Sequence, residues 1–205
     1  METALLVIDV QQSFTHRPGF GSDDTPAYLA AQNRLIEAFQ AAGRPIVRVF
    51  HVQPDASGQD PFSLASGQVR PLDGLRDFDA NLTVHKTRHS ALVGTGLEVW
   101  LTQQRIGRLV ISGIRTEQCC ETTTRHASDL GWDVIFVPEA TLTFTMRHPD
   151  GSPFTPAQIR ARTCAVLDGR FARVLPVAAA LAAVGNTATA TDADTGADAK
   201  EVALA

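Results

Sequence analysis

Apolar residues along this chain fall into short continuous runs, separated by stretches with helical spacing. TALLVID (3–9) is a run closed by Asp9, the pattern of a strand buried on both faces with a polar residue at its C-terminal end. Thr25-Pro26 offers a cap and a proline at the first helical position. Tyr28, Leu29, Leu35, Ile36 and Phe39 then keep a helical period until Gly43 stops it. PIVRVFHV (45–52) predicts a second strand, and LTVHK (82–86) a third that ends in Lys86. Residues 53–80 between them are rich in Pro, Gly, Ser and Asp and have no clean period. An excursion of that length in a compact domain is more often functional than idle.

In the second half, Thr95-x-x-Glu98 has the capping-box pattern and opens a helix to about residue 105. RLVISG (108–113) predicts a fourth strand, followed by a helix from about Cys119 to Leu130 that Gly131 stops. WDVIFVP (132–138) is a fifth strand, 156–168 a helix begun by Thr155-Pro156, and FARVLP (171–176) a sixth strand. The composition then shifts to Ala, Thr, Asp and Gly, predicting one domain over 1–184 and a disordered or loosely attached tail over 185–205. Strands alternating with helices imply an α/β fold with a mostly parallel sheet covered on both faces. Ligands of such sheets bind beyond the carboxyl ends of the strands, where the strand order reverses.

Composition narrows the function classes. The 205 residues are 44% hydrophobic and 20% charged, as in a soluble globular domain of ordinary size. A net charge of −4 argues against nucleic acid or an anionic membrane as partner, and no apolar run reaches the length of a membrane helix. METALLVIDV has no basic region of the kind that opens a signal peptide. The three cysteines, 119, 120 and 164, are odd in number, and the first two are adjacent and poor disulfide partners. A reducing, cytoplasmic setting is the expectation, with a small molecule as partner.

The chemistry lies at the strand ends. Asp9 closes the first strand, Lys86 the third, and Cys119 opens the helix after the fourth, so three reactive side chains share one rim. A thiol attacks as thiolate, and a helix N-terminus together with a nearby lysine is expected to lower its pKa. Asp9 is placed to take the thiol proton and return it to a leaving amine. Backbone amides in the 113–119 turn would face the oxyanion. Read singly, Asp9 is equally a loop cap, Lys86 a solvated charge, and Cys119, like Cys120 and Cys164, a small core residue. Their coincidence on one rim is what favours catalysis.

At these residues the chain resembles the isochorismatase-like cysteine hydrolases, which include nicotinamidases and N-carbamoylsarcosine amidohydrolases. Three ordered blocks carry the resemblance: LLVIDVQQSF (5–14), HKTRHSALVGTGLEVWL (85–101) and LVISGIRTEQCCETTTRHASDLGWDVIFVPEA (109–140). They match a strand with D-x-Q-x-x-F, a K-x-x-x-S-A block with G-T-x-L, and G-x-x-T-x-x-C-x-x-x-T. Leu92, Cys120 and Glu139 depart from the usual Phe, Val and Asp. The resemblance implies a Rossmann-like three-layer α/β/α sandwich with a parallel six-stranded sheet. It implies Asp9 as general base, Lys86 as its ionic partner and Cys119 as nucleophile. It also implies a cis peptide at Ile114–Arg115, aiming the amides of Arg115 and Cys119 at the oxyanion, and a homodimer or homotetramer.

The implied activity is hydrolysis of a C–N bond in a small amide, ureido or N-carbamoyl compound through an acyl-thioenzyme. The alternatives are vinyl ether C–O hydrolysis without a covalent step, a non-catalytic binding protein on the same fold, and a thiol redox sensor. Neither cofactor nor metal is expected, because Gln53 stands where a nicotinamidase-type site would place a second ligand beside His51. Gln11, Phe14 and His51 are expected to line the cleft, and the Arg115 side chain to meet a substrate carboxylate or else a salt bridge. Arg88, His89 and His126 are left between site and solvent. Residues 143–154, with Arg147 and His148, are expected to form a lid or a subunit contact.

Overall fold

The computed structural model describes residues 1–185, so the expected tail lies almost wholly outside the described residues. Six parallel strands form the sheet: β1 (Glu2–Ile8), β2 (Ile46–His51), β3 (Leu82–Lys86), β4 (Ile106–Ile114), β5 (Asp133–Leu142) and, past a short hairpin of β6 (Met146–Arg147) and β7 (Pro153–Phe154), β8 (Arg173–Val174). Their spatial order is β3-β2-β1-β4-β5-β8. The chain builds outward from β1 in one direction, then returns to build outward in the other. The reversal falls between β1 and β4, whose register pairs Ile8 with Gly113.

Alternation along β1 sorts the two faces. Leu5 and Val7 belong to one core with Tyr28, Leu35, Ile36 and Phe39 of α1 (Thr25–Ala41) and Val177, Ala180 and Val184 of α5 (Val177–Gly185). Ala4, Leu6 and Ile8 belong to the other. Its partners are Leu97 and Leu101 of α2 (Leu97–Gln103), Ala127 of α3 (Glu121–Asp129) and Leu167 of α4 (Pro156–Leu167). The result is a three-layer α/β/α sandwich. Each fully buried leucine or isoleucine contributes about 1.5–3 kcal/mol, so both faces of β1 hold the sheet between its helices.

Local chemistry moves several boundaries. Asp24, not Thr25, caps α1, accepting from the Ala27 amide at 3.0 Å. The expected box at Thr95 does not form. Its hydroxyl donates to the Ala91 carbonyl at 2.6 Å, in a turn where Gly94 and Gly96 both take positive φ, and α2 starts only at Leu97. The box at Thr155 and Gln158 does form and opens α4. The helix expected from Cys119 is a π-helical turn, Thr116–Cys120, that runs into α3. The sixth strand shrinks to two residues, and α5 was not anticipated.

Candidate active site

Asp9 follows β1 directly and takes φ of +53°, a left-handed conformation that an aspartate tolerates better than most residues. Its amide donates to the Val49 carbonyl at 2.8 Å, which ties the end of β1 to β2. Gln11 strengthens that tie: its side chain donates to the His51 carbonyl at 3.0 Å and accepts the His51 amide at 2.8 Å. On the other side, β4 runs close against β1. A Cβ at Gly113, where φ is +131°, would lie 1.9 Å from the Ile8 carbonyl oxygen, so only glycine fits.

Lys86, the last residue of β3, reaches over the end of β2. Its Nζ lies 2.7 Å from Asp9 Oδ2 and 3.3 Å from Cys119 Sγ, and it donates to the Arg88 carbonyl at 3.1 Å. Cys119 sits in the π-helical turn beyond β4, after a cis peptide between Ile114 and Arg115. Elements distant in sequence thus bring carboxylate, ammonium and thiol into one cluster.

Burial sets the protonation of that cluster. Desolvation pulls Lys86 down, but the charges of Asp9 and Cys119 outweigh it and hold the ammonium protonated. Burial pushes the Asp9 carboxyl up, against the stabilising charge of Lys86. The Cys119 thiol is pushed well above the usual thiol range, by burial first and the Asp9 charge second, with Lys86 only partly compensating. One ammonium offsets one anion, so ionising Asp9 and Cys119 together is unfavourable. The expectation of a thiol with lowered pKa is therefore corrected: burial beside Asp9 raises it. The nearby turn and Lys86 do not offset a 5% exposed position next to a buried acid.

His51 ends β2 between the two. Lys86 Nζ lies 3.3 Å from its Nδ1, and an ammonium only donates, so Nδ1 accepts and the ring proton resides on Nε2. Burial and the Lys86 charge lower the His51 pKa to about 4, which keeps the ring neutral. The Gln53 amide nitrogen lies 3.1 Å from Nε2, and flipping that amide, whose O and N are nearly indistinguishable, lets its oxygen accept the N–H. Gln53 thus satisfies the histidine at the place where a second metal ligand would stand. Among the described residues no group of three or more His, Cys, Asp or Glu side chains is placed to share a metal ion.

The cluster opens into a cavity of about 310 Å³, with Cys119 at its floor. Phe14, His51 and Arg115 line it as expected of substrate-contact candidates. Gln11 does not: it is fully buried and spends its amide on His51 and Ser13, so it positions strands and lines no part of this cavity. The Arg115 side chain is committed to Glu117 at 3.0 Å and to the Phe144 carbonyl at 3.0 Å, its guanidinium lying over the Phe144 ring. It is not a free receptor for a carboxylate.

Of the undecided residues, His89 faces the site, with Nδ1 3.8 Å from Cys119 Sγ. His126 instead bonds Ser90 at 2.9 Å behind the sheet rim, and Arg88 offers only its carbonyl. Phe144 packs on Phe14 and Phe20, but Arg147 donates to Gly151 within its own hairpin and lines no part of the cavity, nor does His148. Arg17, Phe62 and Gln118 also line the cavity and were not singled out from sequence. Phe62 comes from the 53–80 excursion, whose length was the one available signal.

The chain matches the family model of the Isochorismatase domain over residues 3–169. It is 27% identical over 175 residues to the isochorismatase family protein YrdC of Bacillus subtilis, covering 84% of this chain and 90% of that one. It is 26% identical over 156 residues to an N-carbamoylsarcosine amidase from Arthrobacter, covering 68% of this chain and 58% of the amidase. Among solved structures, a hydrolase of the isochorismatase family from Chromobacterium violaceum superposes with a TM-score of 0.82 at 28% identity. That match covers 90% of this chain and 94% of the other. Motifs, topology and these likenesses agree that the chain belongs to the isochorismatase family.

Proposed function

We propose that the chain is a cysteine amidohydrolase, cleaving a C–N bond in a small amide, ureido or N-carbamoyl compound. The observation that carries this reading is Lys86 Nζ lying 2.7 Å from Asp9 and 3.3 Å from Cys119, with the sulfur at the floor of the cavity. An N-carbamoylsarcosine amidase among the relatives supports the same reaction type.

In this reading Cys119 passes its proton to Asp9 as sulfur bonds to the substrate carbonyl carbon, and the oxyanion forms against the peptide N–H groups of Arg115 and Cys119. The C–N bond breaks as Asp9 hands that proton to the leaving amine. Water then gives a proton to Asp9 as its oxygen attacks the thioester, the C–S bond breaks, and the thiolate recovers the proton. Lys86 stays charged throughout, balancing whichever of the two acids is ionised. A raised Asp9 pKa suits this shuttle, since an acid–base group works best near the operating pH.

The test is ammonia release from a panel of primary amides, ureido acids and N-carbamoyl amino acids. Cys119→Ala should abolish turnover, by at least about 10³-fold, and Asp9→Asn should do the same. Turnover that survives Cys119→Ala would assign the site to hydrolysis without a covalent step, the C–O chemistry that Asp9 would serve as acid.

A further inference from the structure

No carboxylate is among the side chains that line the cavity. The nearby acids Asp9 and Glu117 are paired, with Lys86 and Arg115. His51 and Gln53 satisfy each other as neutral groups. Asp60, whose charge reaches His51 from the excursion, accepts the Phe62 amide at 2.8 Å and forms no ion pair with Arg17. Arg17 is left over. Among the described residues no carboxylate lies within ion-pairing distance of it, and its side chain donates no hydrogen bond that the structure records. Instead its guanidinium lies 4.5 Å over the centre of the Phe62 ring.

That contact orients the group. A guanidinium over an aromatic ring is held by attraction to the ring face, while its N–H donors point outward in a planar fork. Phe62 is itself fixed edge-on against Phe14 at 5.0 Å and against His51 at 5.8 Å, so the platform under Arg17 is rigid. All four residues line the cavity that holds Cys119. A fork of this geometry matches the two oxygens of a carboxylate.

We infer that Arg17 is the carboxylate-recognising residue of this site, and that the substrate is a small anionic compound bearing a carboxylate at the end remote from the scissile C–N bond. The inference rests on the reading of Cys119 as the reacting group and narrows its substrate class. It also reassigns the carboxylate contact from Arg115, whose charge Glu117 already balances. A cavity near 310 Å³ lies at the small end of ligand sites, in keeping with one compact molecule spanning Arg17 and Cys119.

The test needs no substrate. Iodoacetate and iodoacetamide deliver the same carbon to sulfur, one carrying a carboxylate and the other a neutral amide. Alkylation by each at pH 8.5 is followed by peptide-level mass spectrometry, which separates Cys119 from Cys120 and Cys164, with glutathione as reference thiol. The iodoacetate-to-iodoacetamide rate ratio should exceed that of glutathione, fall by about tenfold in Arg17→Gln, and recover in part in Arg17→Lys. The ratio can be read however slow the absolute rates are. An equal ratio in the parent chain and Arg17→Gln would overturn the assignment of Arg17. Failure of the hydrolase reading would show separately, as undiminished turnover by Cys119→Ala.

Discussion

Asp9 and Lys86 form a fully buried ion pair 2.7 Å long, made by side chains from strands that are not neighbours. The lysine stem crosses the end of β2 to reach it. A buried pair of this kind seldom adds net stability over apolar packing of equal volume, because desolvating both charges costs several kcal/mol each. Its place behind Cys119, the thiol that lines the cavity, gives it a chemical purpose in the proposed reaction instead.

Removing one partner should be far worse than removing both. Lys86→Met leaves the Asp9 carboxylate buried without a counter-charge and should cost about 3–5 kcal/mol in urea denaturation. The double variant Asp9→Asn/Lys86→Met should regain much of that loss while hydrolysis stays absent. Equal stability of the single variant and the parent chain would mean that the pair does not carry these charges.

His51 predicts a pH dependence of stability. Its folded pKa of about 4 lies below the ordinary 6.5, so the folded state resists protonation that the unfolded state accepts. The contribution is therefore complete above pH 6.5 and is lost as pH falls towards 4. Allowing for solvent screening of a partly exposed ring, the loss is on the order of 1–2 kcal/mol. His51→Gln keeps an acceptor for Lys86 and removes the titration. The stability gap between parent and variant, measured at pH 7.5 and 4.5, should shift by that amount in the variant's favour at the lower pH. A constant gap would contradict a neutral buried imidazole.

Gly113 tests the close approach of β4 to β1. Gly113→Ala places a methyl against the Ile8 carbonyl, one residue before Asp9, and must displace backbone to fit. The expected cost is about 3 kcal/mol or more, with hydrolysis lowered about 100-fold through misplacement of the base. Calorimetric melting and steady-state rates would show both. An alanine tolerated without change would show that the strands separate freely there.

Much of this was legible in the chain. The runs ending in Asp9 and Lys86, and the Cys119 turn, mark three strand ends, and a parallel sheet brings strand ends to one rim. Helix α1 announces itself by period and by Pro26, and α4 by Thr155-Pro156. Helix α5 did not: VAAALAAVG has no capping residue or charge to mark it and shades into the alanine-rich residues after it. The sign of the Cys119 shift was also out of reach, since a turn and a lysine are local features whereas burial beside Asp9 is created only by the fold. Arg17 was hidden for the same reason. Nothing near it in sequence points to Phe62, 45 residues further on, or says that no carboxylate among the described residues would pair with it.

If Asp9 and Cys119 share one proton under the charge of Lys86, the pH profile of Cys119 alkylation by iodoacetamide must differ between the parent chain and Asp9→Asn. Asparagine tolerates the same left-handed backbone, so the variant removes the carboxylate charge and little else. Alkylation of the parent at pH 7 should be slow, with an apparent pKa above that of an ordinary thiol. In Asp9→Asn the thiolate becomes the sole counter-ion of Lys86, so the profile should move to lower pH and alkylation at pH 7 should accelerate even though hydrolysis is lost. A parent thiol already ionised at pH 6, or a profile that Asp9→Asn leaves in place, would contradict it.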